Sequence, residues 1–256
     1  MFAFARPVVA AHRGFSARYP ENTMAAFEAA IQANAQMIEL DVTLSRDQAV
    51  VVIHDNTVDR TTNGSGRVNR LTLAEIKQLD AGSWFSPQFF QEKIPTLEEI
   101  LSDFKNRVLI NIEIKSDGFA SMDSPDILAK NVVALVQEKH MEDQVLISSF
   151  SPGMLERVLT LDSALAVAVL AKAPYDRVLL KRCRELKAFS FHPERSLLNA
   201  SMVDQCRNDG ICIFVWNVQS AKDVKTCFRF EADGVIVDDP LMAIKQYGLL
   251  AGVSKR

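Results

Sequence analysis

IELDV at 38–42 places Glu39 and Asp41 one residue apart, and NIEIK at 111–115 sets Glu113 between Asn111 and Lys115. Side chains of a β-strand alternate between its faces. With Ile38, Leu40 and Val42 turned outward, Glu39 and Asp41 share the inner face; with Ile110, Ile112 and Ile114 outward, Asn111, Glu113 and Lys115 point inward. Three carboxylates converging unpaired in a low-dielectric interior cost on the order of several kcal/mol each, so a cation belongs with them. Two arrangements satisfy that demand: a bound divalent ion, or a structural ion-pair cluster in which Lys115 or Arg13 neutralises Glu113. An all-oxygen ligand set favours a hard ion, Mg²⁺ or Ca²⁺, over zinc.

The histidines are few and unevenly placed. His12 in AHRG, His54 in VIHD and His192 in FHP each end an apolar run, whereas His140 in EKHMED sits at a helix end and reads as a solvated residue. Imidazole changes charge near neutrality, so rings gathered beside an acidic cluster suit proton transfer. His192 is a candidate substrate contact or else a packed, loop-capping histidine. Phe150 is a candidate lining residue for a site mouth; Trp84 and Phe85 either join it or form a small core of their own. Asn22 or Thr23 opens the first helix as an N-cap, with a supporting contact to the acids as the other role open to Glu21 and Asn22.

What must position these residues is a repeating alternation. Short apolar runs at 8–12, 37–43, 108–114, 145–149, 165–170, 188–192, 211–216 and 234–238 are each followed by a helical pattern, near 23–34, 96–105, 124–140, 152–161, 175–186, 199–209, 220–230 and 240–248. Near-continuous apolar strands fit a parallel sheet covered by helices, and eight such units in this length predict an α/β fold, a TIM (β/α)8 barrel. A doubly wound open sheet is the alternative, but no GxGxxG follows an early strand. The extra run AVVVIHD at 49–55 follows SRDQ at 45–48, too short for a parallel crossover, so it returns as an antiparallel hairpin strand. A turn centred on 45–48 sets His54 opposite Glu39, and a slip of one residue would turn it to the other face. Residues 56–95 hold turn-rich sequence, a short helical pattern at 72–79 and aromatics; they read as a small insertion, a lid, over the C-terminal rim of a single barrel domain spanning 1–256.

Composition narrows the partners. The chain has 256 residues, 48% apolar, with 29 basic against 32 acidic residues and a formal charge of −3, so nothing suggests a nucleic-acid or membrane-surface footprint. Cysteines at 183, 206, 212 and 227 form no CxxC pair, no zinc spacing and no disulfide framework. MFAFARPVVAAHRG is too short of apolar residues for a signal-peptide core, and no run is long enough to span a bilayer. The expectation is a cytoplasmic protein with a small-molecule partner and no membrane insertion; oligomeric state leaves no signal.

Taken in order, AHRG at 11–14, PENT at 20–23, IELDV, VIHD at 52–55, DRTTNGSG at 59–66, LDAGSWF at 79–85, IPTLEEIL at 94–101, NIEIK and SSF at 148–150 make the chain resemble the glycerophosphodiester phosphodiesterases, a branch of the phospholipase C-like barrels. The resemblance covers essentially the whole chain. It implies that Glu39, Asp41 and Glu113 hold one divalent cation, that His12 and His54 are the acid/base pair, and that Arg13 and Lys115 contact the phosphate. Trp216 matches a family tryptophan that would offer a flat face to glycerol carbons, unless it is a core aromatic. The implied reaction is attack of the glycerol 2-hydroxyl on phosphorus, loss of the head-group alcohol, and opening of a cyclic phosphate by water to give sn-glycerol 3-phosphate. Departures fall at WNVQ (216–219), where the family often has W-T-V-N, and at Val237, where threonine is common; they bear on substrate preference. An activity on intact lipid, of phospholipase C or D type, is the second expectation, and a catalytically silent binding barrel the third. The intact acids and histidines speak against the silent barrel, and the lack of a basic amphipathic segment against the lipid enzyme.

Overall fold

The protein, seen in a computed structural model, is described over residues 2–115, 124–173 and 178–253. In chain order its first elements are β1 (Val8–His12), α1 (Met24–Gln32), β2 (Met37–Leu44), β3 (Val50–Val52), α2 (Leu73–Gln78), α3 (Leu97–Phe104), β4 (Leu109–Ile114) and α4 (Ser124–Glu138). They continue as β5 (Val145–Ser149), α5 (Pro152–Leu161), β6 (Ala166–Ala171), α6 (Val178–Glu185), β7 (Ser190–Pro193), α7 (Ala200–Asn208), β8 (Cys212–Val215), α8 (Ala221–Arg229), β9 (Gly234–Val237) and α9 (Pro240–Val253). The start expected for the helix at 175–186 falls partly on 175–177, outside the described residues. Hydrogen bonding runs β1-β9-β8-β7-β6-β5-β4-β2, and β1 pairs with β2 to close the ring. This is the expected TIM barrel, with β3 bonded antiparallel to the outside of β2.

Period-two alternation divides the strand residues between two cores. Ile38, Leu40, Val42, Ile110, Ile112 and Ile114 face outward into the large core beneath the helices. Inside, Val8, Ala10, Met37, Leu146, Ala166, Ala168, Phe214 and Ile236 fill the barrel toward its N-terminal end. Phe2 and Phe4 plug that end, packing on Phe189 at 5.1 and 5.8 Å, with Phe4 also 5.2 Å from Phe214. Along β1, β2, β4 and β9 the interior passes from apolar to polar toward the C-terminal rim. That gradient places the acids, His12 and His54 toward the C-terminal end of the barrel.

The hairpin register differs from the expected one. Val42 faces Val52 and Leu44 faces Val50, so the three residues Arg46–Gln48, not four, make the loop. Gln48 donates from its backbone N to Ser45 O and sits at φ 66°, a tight turn closed by one left-handed residue. By strict alternation His54 would then turn away from the acids. It does not, because the ladder ends: β3 stops at Val52, Ile53 makes a last bond to Asp41 O, and His54 lies in a bend beyond it.

Residues 56–95 carry α2 and an apolar cluster of Val58, Val68, Ile76, Ala81 and Ile94 against Val51 and Ile53. Asp80 organises the aromatic stretch, its carboxylate accepting from the backbone N of Gly82, Ser83 and Gln91. Among the described residues no helix is long and apolar enough to cross a membrane.

Candidate active site

Strand register brings the acids together. His12 lies beside Glu39 and Glu39 beside Asn111; one row higher Asp41 lies beside Glu113 and Glu113 beside Ser148. Carboxylate oxygens of Glu39, Asp41 and Glu113 all lie within 4.8 Å of one another. Behind them Asn22, in a left-handed conformation (φ 57°), donates Nδ2 to Asp41 Oδ2 at 3.0 Å. The N-cap of α1 is Thr23, not Asn22, so Asn22 is free for this contact.

Basic side chains reach the cluster but do not exhaust it. Arg13 Nε is 3.4 Å from Asp41 and its Nη1 2.9 Å from Glu21; Lys115 Nζ is 3.4 Å from both Asp41 and Glu113. Glu39 receives only the backbone N of Arg13, at 2.9 Å, among the described contacts. Two cations, one of them shared with Glu21, thus face three acids. Burial and the neighbouring Asp41 charge push Glu39 up to about 8 and Glu113 up to about 7. Asp41 is drawn the other way: burial opposes its ionisation, but Lys115, Arg13 and His54 hold it below the usual carboxylate range. Asn22 Oδ1 and Asn111 Oδ1 are buried without a partner beside the acids. An all-oxygen set with surplus negative charge and orphaned amide oxygens fits a hard divalent ion better than a closed ion-pair cluster.

Each of the two rim histidines is held at Nδ1 by a carboxylate. His12 Nδ1 is 2.7 Å from Asp238 Oδ1, and His54 Nδ1 is 2.6 Å from Asp55 Oδ1. A carboxylate acceptor assigns the proton to Nδ1, leaving Nε2 for exchange with a bound molecule. The two environments differ. For His12, burial disfavours the charged ring, yet the Asp238 hydrogen bond and the Glu39 charge prevail and raise it above its ordinary value. For His54, burial prevails, aided by Arg13 and Lys115, and lowers it despite the charge of Asp41.

His12, Arg13, Glu39, His54, Asn111, Glu113 and Lys115 line a cavity of about 380 Å³ together with Ile114, Phe150, Leu170, Lys172, Trp216 and Ile236. Trp216 is fixed by its Nε1 to Ala171 O and His192 O, both at 3.1 Å, and stands edge-on to Phe150 at 5.7 Å. His192 is not brought to this cavity. It is wholly buried inside the barrel, its Nε2 2.9 Å from Ser190 Oγ, and burial holds it down to about 3, a neutral ring. Trp84 and Phe85 also lie apart, in an edge-to-face chain with Phe89 that continues to Tyr19.

Sequence reasoning missed two acids, Asp238 and Asp55, and an arginine, Arg60. Asp238 was legible, since Gly234, Ile236 and Asp238 alternate inward on GVIVDDP just as Glu39 and Asp41 do. Asp55 and Arg60 were not: Arg60 ties Asp55, five residues away, at 2.7 Å to Glu21, 39 residues away, at 2.8 Å, a pairing that only the folded rim brings about. The result is one chain of contacts, Arg13–Glu21–Arg60–Asp55–His54.

A family model described as the glycerophosphoryl diester phosphodiesterase family matches residues 12–242. A glycerophosphodiester phosphodiesterase of Caldanaerobacter subterraneus subsp. tengcongensis is 40% identical over 240 residues, covering 92% of this chain and 95% of the relative. One from Bacillus subtilis is 34% identical over 247 residues, covering 92% and 84%. Among solved structures, an Oleispira antarctica phosphodiesterase in complex with the product sn-glycerol-3-phosphate superposes with a TM-score of 0.88 at 28% identity, covering 95% of this chain and 97% of that one.

Proposed function

The chain belongs to the glycerophosphoryl diester phosphodiesterase family, and on that premise we propose that it hydrolyses glycerophosphodiesters to an alcohol and sn-glycerol 3-phosphate by histidine acid/base chemistry at a divalent-ion site. The observation that carries this reading is the joint lining of one cavity by Glu39 and Glu113, both carboxylate-held histidines and the cations Arg13 and Lys115, with Asp41 gathered against the same two acids. A product complex in a relative of the same fold supports the substrate class.

Glu39, Asp41 and Glu113 would hold the ion, which when bound would draw charge from the phosphate and the attacking oxygen. Arg13 and Lys115 receive the diester's phosphate oxygens, Arg13 as a fork and Lys115 as a point charge. His54, with its lowered pKa, is neutral at pH 7 and takes the proton of the attacking glycerol 2-hydroxyl. His12, with its raised pKa, gives its proton to the departing alkoxide. The bond from the 2-oxygen to phosphorus forms as the bond to the head group breaks, leaving His54 charged and His12 neutral. In the second step His12 takes a proton from water, His54 returns one to the 2-oxygen, and both rings regain their starting states. Trp216 walls the cavity against the glycerol carbons, and Phe150 lines its mouth. The chain is read as one barrel domain, with 56–95 as a lid anchored by Arg60, and as a cytoplasmic enzyme.

The test is release of glycerol 3-phosphate from glycerophosphocholine, glycerophosphoethanolamine, glycerophosphoglycerol and glycerophosphoinositol, each with Mg²⁺ and with Ca²⁺. Turnover of at least one is expected, and no product from any would remove the reading. Asp238 orients His12 and stabilises its charged form, so Asp238→Asn should lower kcat by roughly 10- to 100-fold with smaller change in KM. It should also move the alkaline limb of the pH profile, set by loss of the His12 proton, to lower pH. An unshifted profile would make Asp238 a structural residue only.

A further inference from the structure

The cavity wall facing the acids is apolar apart from one charge. Leu170, Trp216 and Ile236 are joined there by Phe150 and by Lys172, which directly follows β6 on the C-terminal rim. Lys172 is exposed, with its Nζ 5.3 Å from the centroid of the Phe150 ring. Among the described residues no carboxylate lies at ion-pair distance from it. Glu194 feels its charge, but the Glu194 carboxylate is engaged by Ala173 N at 3.3 Å and Asn217 Nδ2 at 3.1 Å. Lys172 thus presents a cation at the mouth that nothing in the described structure neutralises.

A diester held at phosphorus by Arg13 and Lys115 extends two arms from that wall. One arm, glycerol, is the same and uncharged in every member of the substrate class; the other, the head group, varies in charge. The buried Leu170 and Ile236, with Trp216 fixed beside them, suit glycerol carbons, and the exposed Lys172 over the half-buried Phe150 is left to the head group. Resting on the function proposed above, the geometry points to Lys172 as a specificity-determining residue that selects diesters with an anionic head group over those with a cationic one. Aromatic rings alone would favour a quaternary ammonium. Here the face of Phe150 already carries a cation of its own, and a second would be repelled.

Two unit charges about 5 Å apart at a wet surface alter a rate ratio by roughly three- to tenfold. The probes are glycerophosphoinositol 4-phosphate (anionic head group), glycerophosphoglycerol (neutral) and glycerophosphocholine (cationic), with kcat/KM for each charged substrate taken relative to the neutral one. The wild-type protein should rank them anionic, neutral, cationic. Lys172→Glu should invert that order, Lys172→Met should flatten it, and Lys172→Arg should restore it. High salt should compress the wild-type ratios. If glycerophosphoglycerol is hydrolysed but the ratios ignore Lys172→Glu, the specificity role falls and the enzymatic reading stands. If no diester is hydrolysed by the wild-type protein, both fall together.

Discussion

His54→Ala should lower turnover of a glycerophosphodiester by roughly 10²–10⁴-fold whichever alcohol leaves, while the loss in His12→Ala should shrink to about tenfold or less when the leaving alcohol is p-nitrophenol. The asymmetry follows from opposed environments. Burial lowers the His54 pKa and so favours a ring able to accept a proton, whereas Asp238 and Glu39 raise the His12 pKa against its own burial and so favour a ring able to give one. An alkoxide cannot depart without a proton, but a nitrophenolate can, so the acid becomes dispensable with that ester and the base does not. Single-turnover release of the phenol from the p-nitrophenyl ester of glycerol phosphate, set against release of glycerol from glycerophosphoglycerol, separates the first chemical step from opening of the cyclic phosphate. Both variants should keep the wild-type circular-dichroism spectrum and ion-dependent thermal shift. Equal losses with both leaving groups in both variants would remove the division of labour, and unchanged rates would remove the histidines from the chemistry altogether.

The barrel was legible because its signal is repeated. Eight apolar runs separated by helical patterns can be satisfied in few ways, and the strand bounds differ from those expected by no more than two residues. The family read from AHRG through SSF is the one whose model matches 12–242. Alternation likewise exposed Glu39, Asp41 and Glu113, since inward direction within a strand is a local property. Local rules failed where the chain leaves the ladder. The position of His54 depends on a three-residue turn with Gln48 at positive φ and on the end of β3 at Val52, and neither has a strong residue signature. His192 shows the opposite failure: alternation does turn it inward, but depth along the barrel axis decides whether an inward residue reaches the mouth or is sealed beside Phe214, 5.2 Å away. Depth is set by the stagger of neighbouring strands, a property of the closed sheet that no single segment contains.

Chelation should abolish activity, by at least roughly 10²-fold, and Mg²⁺ or Ca²⁺ should restore it. The same treatment should leave a protein whose stability depends on pH in a defined sense. In the ion-free protein burial and the Asp41 charge raise Glu39 to about 8 and Glu113 to about 7, far above their ordinary value of 4.5. The folded state therefore binds more protons than the unfolded one between those limits, and unfolding free energy falls as pH rises from about 4.5 to about 8. Asp41, held below 3.8 by Lys115 and Arg13, contributes its stabilisation throughout that window and adds no slope within it. A bound ion replaces the missing protons, so the rise in Tm on adding Mg²⁺ or Ca²⁺ should be small at pH 5 and grow toward pH 8. The expected span is on the order of a few kcal/mol, or several degrees for a chain of this size. Glu39→Gln and Glu113→Gln should each weaken both the ion-induced shift and the pH slope of the ion-free form, because the amide neither repels Asp41 nor binds the ion as a carboxylate does. A structural ion-pair cluster makes the contrary forecast. With Arg13 and Lys115 as sufficient partners, divalent ions would not move Tm at any pH, chelator would leave turnover intact, and Lys115→Met would be the substitution that destabilises most.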